Sequence, residues 1–256
     1  MKAGSAPSVR LGCVKYLNAQ PLIHGWSGSV VFDHPAALCR QLADGELDVA
    51  FVSSFEFLRD PVYTIVDRVC VAADGPVHSV FVAHHGQVED LEEISLDPAS
   101  RTSVNLLRVL LAELDLRPRL FEAASDSQSA RLLIGDQALR FRAGHGDEFE
   151  YWDLAAEWKR LTSFPFVFAL WLIRPETPNA EALAEKLRAR RDANLQALDQ
   201  VVAAQTGFSA EFCDFYFREC LTFDFAKAEK AALLHFRSLC EKHGLLDSNA
   251  AILRLV

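Results

Sequence analysis

The first third of the chain repeats one rhythm, and that rhythm limits the folds open to it. Residues Arg10–Tyr16 read as a strand, Pro21 stands where a short helix starts, and Val30–Asp33 is strand-like again. Pro35 then takes the first position of a helix through Ala43, Gly45 is its C-terminal cap, and LDVAFV (Leu47–Val52) is a strand running into Ser53-Ser54. Alternation of strand and helix predicts a parallel sheet with helices on its faces, since a parallel neighbour is reached only through a crossover. Further strands are predicted at Tyr63–Val66, Val69–Ala73 and Val80–Ala83.

The middle third restarts this pattern, which predicts a second α/β unit. A strand fits Ile94–Leu96, an amphipathic helix fits Thr102–Leu114, and strands fit Arg119–Glu122 and Arg131–Ile134, the latter ending in Gly135-Asp136. A helix follows at Leu154–Leu161, and Phe166–Ile173 is apolar enough for a central strand returning to the first unit. From Pro178 the chain turns helical, with Ala180–Ala204 rich in strong helix formers and Ser209 and Asp224 placed as N-caps of two more helices, the last ending at Gly244.

Composition removes several classes of function. Of 256 residues 50% are hydrophobic, enough for a sizeable core in one large domain or two small ones. The longest apolar run, Phe164 to Ile173, is half of what a membrane-spanning helix needs, and the start of the sequence has no apolar segment of the secretory kind. The expectation is therefore a cytoplasmic protein with no membrane partner. A net charge of −9 and no basic stripe interleaved with aromatics argue against nucleic acid. Six cysteines without a CxxC pair read as buried free thiols. His84 and His85 are adjacent, and neighbours on a strand face opposite ways, so joint metal ligation by the pair is not expected.

Small polar residues gather where strands end. Asn18 follows the first strand, Ser53-Ser54 the third, and Gly135-Asp136 the RLLI strand. In open α/β sheets ligands sit beyond these carboxyl ends. Each residue alone has a local explanation as a helix cap; the shared edge points to a site. The stretch ASRTSVNLL (Ala99–Leu107) is the best anion site, because Ser100, Thr102 and Ser103 open a helix whose first-turn N–H groups are free, with Arg101 beside them. Neither a Walker loop nor a dinucleotide fingerprint is present.

The phrases VKYLNAQPLIHG, LDVAFVSSFEFLRD, DGPVHSVFV, SRTSVNLLRVLL, IGDQALRF and EWKRLTSFPFVFALW, in this order between Val9 and Ile173, resemble the chorismate dehydratase family. The resemblance implies a fold like that of type II periplasmic solute-binding proteins, two α/β lobes with a ligand cleft between them and a helical C-terminal segment. Lobe 1 would comprise residues 1–86 and 167–256 and lobe 2 residues 87–166, with crossovers near Ala83–Gln87 and Phe164–Val167 and the C-terminal helices packed on lobe 1. It also implies a carbon–oxygen lyase of the futalosine route to menaquinone, with no metal and no organic cofactor, that dehydrates the dianion chorismate to 3-[(1-carboxyvinyl)oxy]benzoate.

Residue by residue, the resemblance and the anion-site reading assign one substrate carboxylate to Ser100, Thr102 and Ser103, with Arg101 adding charge there, and the other to Ser53, Ser54 and Ser79; Gly135 is a further substrate-binding candidate. Asn18 would bridge a carboxylate and the C4 oxygen. For the proton at C3 two bases stand open: Asp136, and the enolpyruvyl carboxylate of the substrate, which is preferred because no His or Glu stands out. Lys15 and Ala19 depart from the family pattern, where Ser and Thr are common. The alternatives are the sister enzyme of the route, which releases dihydroxynaphthoate, and a non-catalytic solute-binding protein. Oligomeric state is not legible in the sequence.

Overall fold

The computed structural model describes residues 9–97, 100–122, 130–248 and 252–256. Among these residues ten strands form two five-stranded sheets. The first contains β1 (Leu11–Val14), β2 (Val30–Asp33), β3 (Val49–Ser53), β4 (Thr64–Ala73) and β10 (Phe166–Ile173), in the order β2-β1-β3-β10-β4. The second contains β5 (Val80–His84), β6 (Glu93–Ser95), β7 (Arg119–Phe121), β8 (Ala130–Ile134) and β9 (Glu150–Asp153), in the order β7-β6-β8-β5-β9. Helices α1 (Gln20–Ile23), α2 (Pro35–Ala43) and α3 (Ser54–Arg59) follow strands of the first sheet; α4 (Arg101–Glu113), α5 (Gly135–His145) and α6 (Leu154–Thr162) follow strands of the second. The chain ends in α7 (Ala180–Gln196), α8 (Leu198–Ala203), α9 (Ala210–Phe215) and α10 (Lys227–Lys242).

Both sheets are mixed, which corrects the expectation of parallel ones. The β1–β2 and β1–β3 pairs are parallel, as the strand–helix rhythm requires, but β10 runs antiparallel to both β3 and β4. In the second sheet β6 is parallel to β7 and β8, while β5 is antiparallel to β8 and β9. The exceptions are the strands by which the chain enters the second lobe and returns to the first; neither is reached from a neighbour in its own sheet through a strand–helix–strand crossover, so nothing holds them to the direction of their neighbours.

The lobe boundary also moves. Because β5 hydrogen-bonds β8 and β9, it belongs to the second sheet, and the outward crossover is residues 74–79 rather than Ala83–Gln87. One carboxylate anchors it: Asp153 Oδ2 accepts the N–H groups of Val77 (2.9 Å) and His78 (2.8 Å), while Oδ1 caps α6 through Ala155 and Ala156. The return passes through residues 163–165 into β10.

The two strands read at Tyr63–Val66 and Val69–Ala73 are one, β4, with Arg68 at φ 65° and register shifts against β10. Asp224 is not an N-cap. The last helix starts at Lys227, where the Glu229 carboxylate accepts the Ala226 N–H at 3.0 Å, and Asp224 instead faces buried Arg191 at 3.5 Å. All six cysteines are buried and free. An aromatic cluster closes the lobe junction: Phe236 of α10 stands edge-on to Phe166 of β10 and Trp158 of α6 at 5.0 and 5.7 Å between centroids, each such pair contributing about 0.5–1.5 kcal/mol beyond area burial. The last helix thus packs on the first sheet and touches the second lobe.

Candidate active site

Four helices begin at one cavity between the lobes. Its lining includes Pro35, the first residue of α2; Ser53, the N-cap of α3; Ser100 and Ser103, the N-cap and third residue of α4; and Gly135, the first residue of α5. The space amounts to about 540 Å³ including its mouth. Among the described residues, no Asp, Glu, Lys or Arg lines it; the polar side chains are Tyr16, Asn18 and serines, set among Val, Phe, Ile and Ala. A charge-free lining under convergent helix N-termini suits a small anion with an apolar ring, because each terminus carries roughly half a positive charge, while the N–H groups of Phe55, Thr102, Ser103 and Gly135 are themselves held by hydroxyls or a carbonyl.

Asn18 lies in the 3₁₀ turn Leu17–Ala19, and the second lobe fixes that turn. Asp136 Oδ1 accepts the Leu17 N–H at 2.8 Å. The Asn18 Oδ1 atom is buried without a hydrogen-bond partner. Such an atom costs about 1–3 kcal/mol unless a donor reaches it. Asp136 itself does not line the cavity; burial raises its carboxyl above the usual range, and the Leu17 N–H partly offsets this.

The serines divide into two roles. Ser100 Oγ accepts the Ser103 N–H at 3.3 Å and lies 3.1 Å from Ser103 Oγ, so this pair caps α4 at the cavity wall. Ser53 accepts the Thr102 N–H at 3.1 Å, Thr102 Oγ1 accepts the Phe55 N–H at 3.1 Å, and the two hydroxyls are hydrogen-bonded to each other. Ser54 donates to the Val167 carbonyl at 2.7 Å. Thr102 and Ser54 therefore join the walls rather than line the space. Arg101 turns away from it to fully buried Glu56, 3.3 Å distant, which also pairs with Arg59. A fully buried carboxylate requires paired cations, and only the fold revealed that carboxylate.

Ser79 lines the cavity, accepts a hydrogen bond from Tyr216 at 2.7 Å, and through its carbonyl holds the Gly135 N–H at 2.7 Å. Gly135 has φ 56°, and a Cβ there would lie 3.1 Å from the ring of Tyr16. Asn18, Ser53, Ser79, Ser100, Ser103 and Gly135 thus meet at one cavity, while Ser54, Arg101, Thr102 and Asp136 stand behind it. Lys15 is exposed and Ala19 fully buried, so neither departure from the family pattern alters the lining. Sequence reasoning missed Tyr16, Phe168 and Tyr216. Tyr16 was within reach, two residues before Asn18 at the same strand end; Tyr216 carried no local signal. Ala99 of the anion-site stretch lies outside the described residues.

Comparison with known proteins identifies relatives of the chain. The family model described as menaquinone biosynthesis matches residues 9–242. A chorismate dehydratase of Thermus thermophilus is 35% identical over 221 residues, covering 76% of this chain and 80% of the relative. Another chorismate dehydratase, of Campylobacter jejuni, is 25% identical over 228 residues, covering 88% and 91%. Among solved structures, a protein of Archaeoglobus fulgidus superposes with a TM-score of 0.70 at 18% identity, over 93% of this chain and 98% of its own. The periplasmic aliphatic sulphonate binding protein of Escherichia coli superposes at 0.66 with 15% identity, over 98% and 92%. At these identities the structural matches establish the fold, that of periplasmic binding proteins, and nothing about the ligand.

Proposed function

We propose a reaction for a chain that belongs to the menaquinone biosynthesis family: it is a chorismate dehydratase, a carbon–oxygen lyase forming 3-[(1-carboxyvinyl)oxy]benzoate and water. The observation that carries this reading is the charge-free cavity lined by helix N-termini, serine hydroxyls and Asn18, whose buried Oδ1 has no partner. Chorismate carries two carboxylates on an apolar ring, and fixed backbone dipoles hold such a dianion without side-chain cations.

The reaction breaks the C3–H and C4–O bonds, and the electron pair of C3–H completes the aromatic ring as hydroxide leaves C4. Charge developing at C3 spreads onto the ring carboxylate through the intervening double bond. Donors at that carboxylate therefore stabilise the transition state more than the ground state. The Ser100 and Ser103 hydroxyls, backed by the dipole of α4, supply them in this reading; Ser53 and Ser79 hold the enolpyruvyl carboxylate. With Thr102 as donor to Ser53, the proton of Ser53 is left for the ligand. Asn18 Oδ1 accepts the C4 hydroxyl and its amide group steadies the departing oxygen.

Asp136 is engaged with Leu17 and stands off the lining, so it positions the Asn18 turn instead of taking the proton. The enolpyruvyl carboxylate is then the base, and it returns the proton to the leaving hydroxide to give water. Enclosure between the lobes keeps solvent from the intermediate charge.

The test is incubation of purified, metal-stripped protein with chorismate, with the product followed by liquid chromatography and mass spectrometry. Product formation that falls at least ~100-fold in Asn18→Ala supports the assignment. Chorismate bound and recovered unchanged makes the chain a binding protein of this fold and overturns it.

A further inference from the structure

The hydroxyl that faces Ser79 comes from the far end of the chain. Tyr216 opens a π-helical turn, Tyr216–Cys220, that continues α9, and such turns recur at functional sites because they redirect side chains within a helix. Its ring stacks on Phe212 at 5.7 Å and 12° and is 1% exposed. Its hydroxyl donates to Ser79 Oγ at 2.7 Å. Burial holds the phenol well above its usual range despite Ser79, and the charges of Asp136 and Asp153 push the same way, so it remains a protonated donor at any working pH.

A serine hydroxyl has a single proton. When Ser79 Oγ accepts from Tyr216, that proton is directed to another acceptor, and the cavity lies on the open side of Ser79. A phenol–hydroxyl–carboxylate chain is also cooperative, each link polarising the next. We infer that Tyr216 is a positioning residue for the dehydration: by donating to Ser79 it commits the Ser79 proton to a carboxylate oxygen of the bound dianion and fixes that carboxylate over C3. This rests on the dehydratase reading above and extends it to a C-terminal segment that lay outside the family phrases.

The experiment is a cycle of wild type, Tyr216→Phe, Ser79→Ala and the double variant, in the full chain. Chorismate turnover, calorimetric chorismate affinity and thermal midpoint are measured for each. Tyr216→Phe keeps the ring stack, so its midpoint stays within about 2 °C while kcat falls roughly tenfold and KM changes less than threefold. In the Ser79→Ala background the same substitution changes kcat less than twofold. A Tyr216→Phe enzyme with wild-type kcat, or losses that multiply in the double variant, overturns the inference while leaving the dehydratase reading intact. A wild type that binds chorismate without turnover overturns that reading; the affinities of the four proteins then decide the inference by the same non-additivity. Absence of chorismate binding by the wild type overturns both.

Discussion

The backbone N–H of Thr102 in the second lobe donates to the Ser53 hydroxyl of the first at 3.1 Å, while Thr102 Oγ1 takes the Phe55 N–H at the same distance. Two helix N-termini from opposite lobes thus cap each other. Replacing Thr102 with Val keeps the volume and the backbone N–H bond to Ser53, but removes the hydroxyl–hydroxyl bond to Ser53 and leaves the buried Phe55 N–H unpaired, at about 1–3 kcal/mol. The thermal midpoint is expected to fall by about 3–8 °C, with weaker chorismate binding, while Thr102→Ser restores both. Calorimetric scanning and titration of the three proteins check this; a Val variant equal to wild type would show that the lobes are held by other contacts.

Asp136 and Asn18 separate by substitution. Asp136→Asn retains an oxygen that accepts the Leu17 N–H, so kcat is expected within about threefold of wild type, whereas Asp136→Ala frees the turn and Asn18→Ala removes the group at the reacting oxygen. If Asp136→Asn is the more damaged of the Asn variant and Asn18→Ala, the carboxylate is the base.

The same residue sets a pH signature. Burial raises the Asp136 carboxyl, so the folded state binds a proton more tightly than the unfolded one. Its contribution to stability is fully present below the unfolded pKa and is lost as pH rises through the folded value. The midpoint of Asp136→Asn relative to wild type should therefore rise between pH 3.5 and pH 7. A constant difference across that range would place Asp136 in water.

Glu113, at the end of α4, shows the opposite sign. Lys242 and His243 at the end of α10 hydrogen-bond its carboxylate, at 2.7 and 2.5 Å, and hold it below the usual range. Its contribution is present above the unfolded pKa and vanishes as pH falls through the folded one. The pair is partly exposed, so Glu113→Gln is expected to lower the midpoint by only about 1–2 °C at pH 7, with the difference shrinking as the pH is lowered into the acid range. Scanning from pH 7 downward in low salt measures it.

Gly135 has both a backbone and a steric reason to be glycine. An Ala at φ 56° costs roughly 1–2 kcal/mol, and its Cβ would press on the Tyr16 ring at 3.1 Å. Gly135→Ala should lower the midpoint by about 2–6 °C and reduce kcat/KM, because Tyr16 lines the same cavity. An active, fully stable Ala variant would mean that the α5 terminus relaxes without moving Tyr16.

Local chemistry made much of this protein legible. Pro35, Gly45 and Ser209 mark helix ends through their own backbone preferences, and the polar residues after Val14, Val52 and Ile134 mark the ligand edge, since helix N-termini need donors or acceptors whatever the fold. The family phrases extended that edge to Ser79. What tertiary structure alone decided is which group meets which across the cleft. Arg101 faces Glu56 instead of the cavity, Asp136 holds Leu17 from 119 residues away, and Tyr216 meets Ser79 from 137. The antiparallel run of β10 and the transfer of β5 to the second sheet belong to the same class. Residue type and spacing encode bonds within a turn or along a strand; pairings over such separations exist only once two lobes pack, and the sequence around each partner carries no trace of the other.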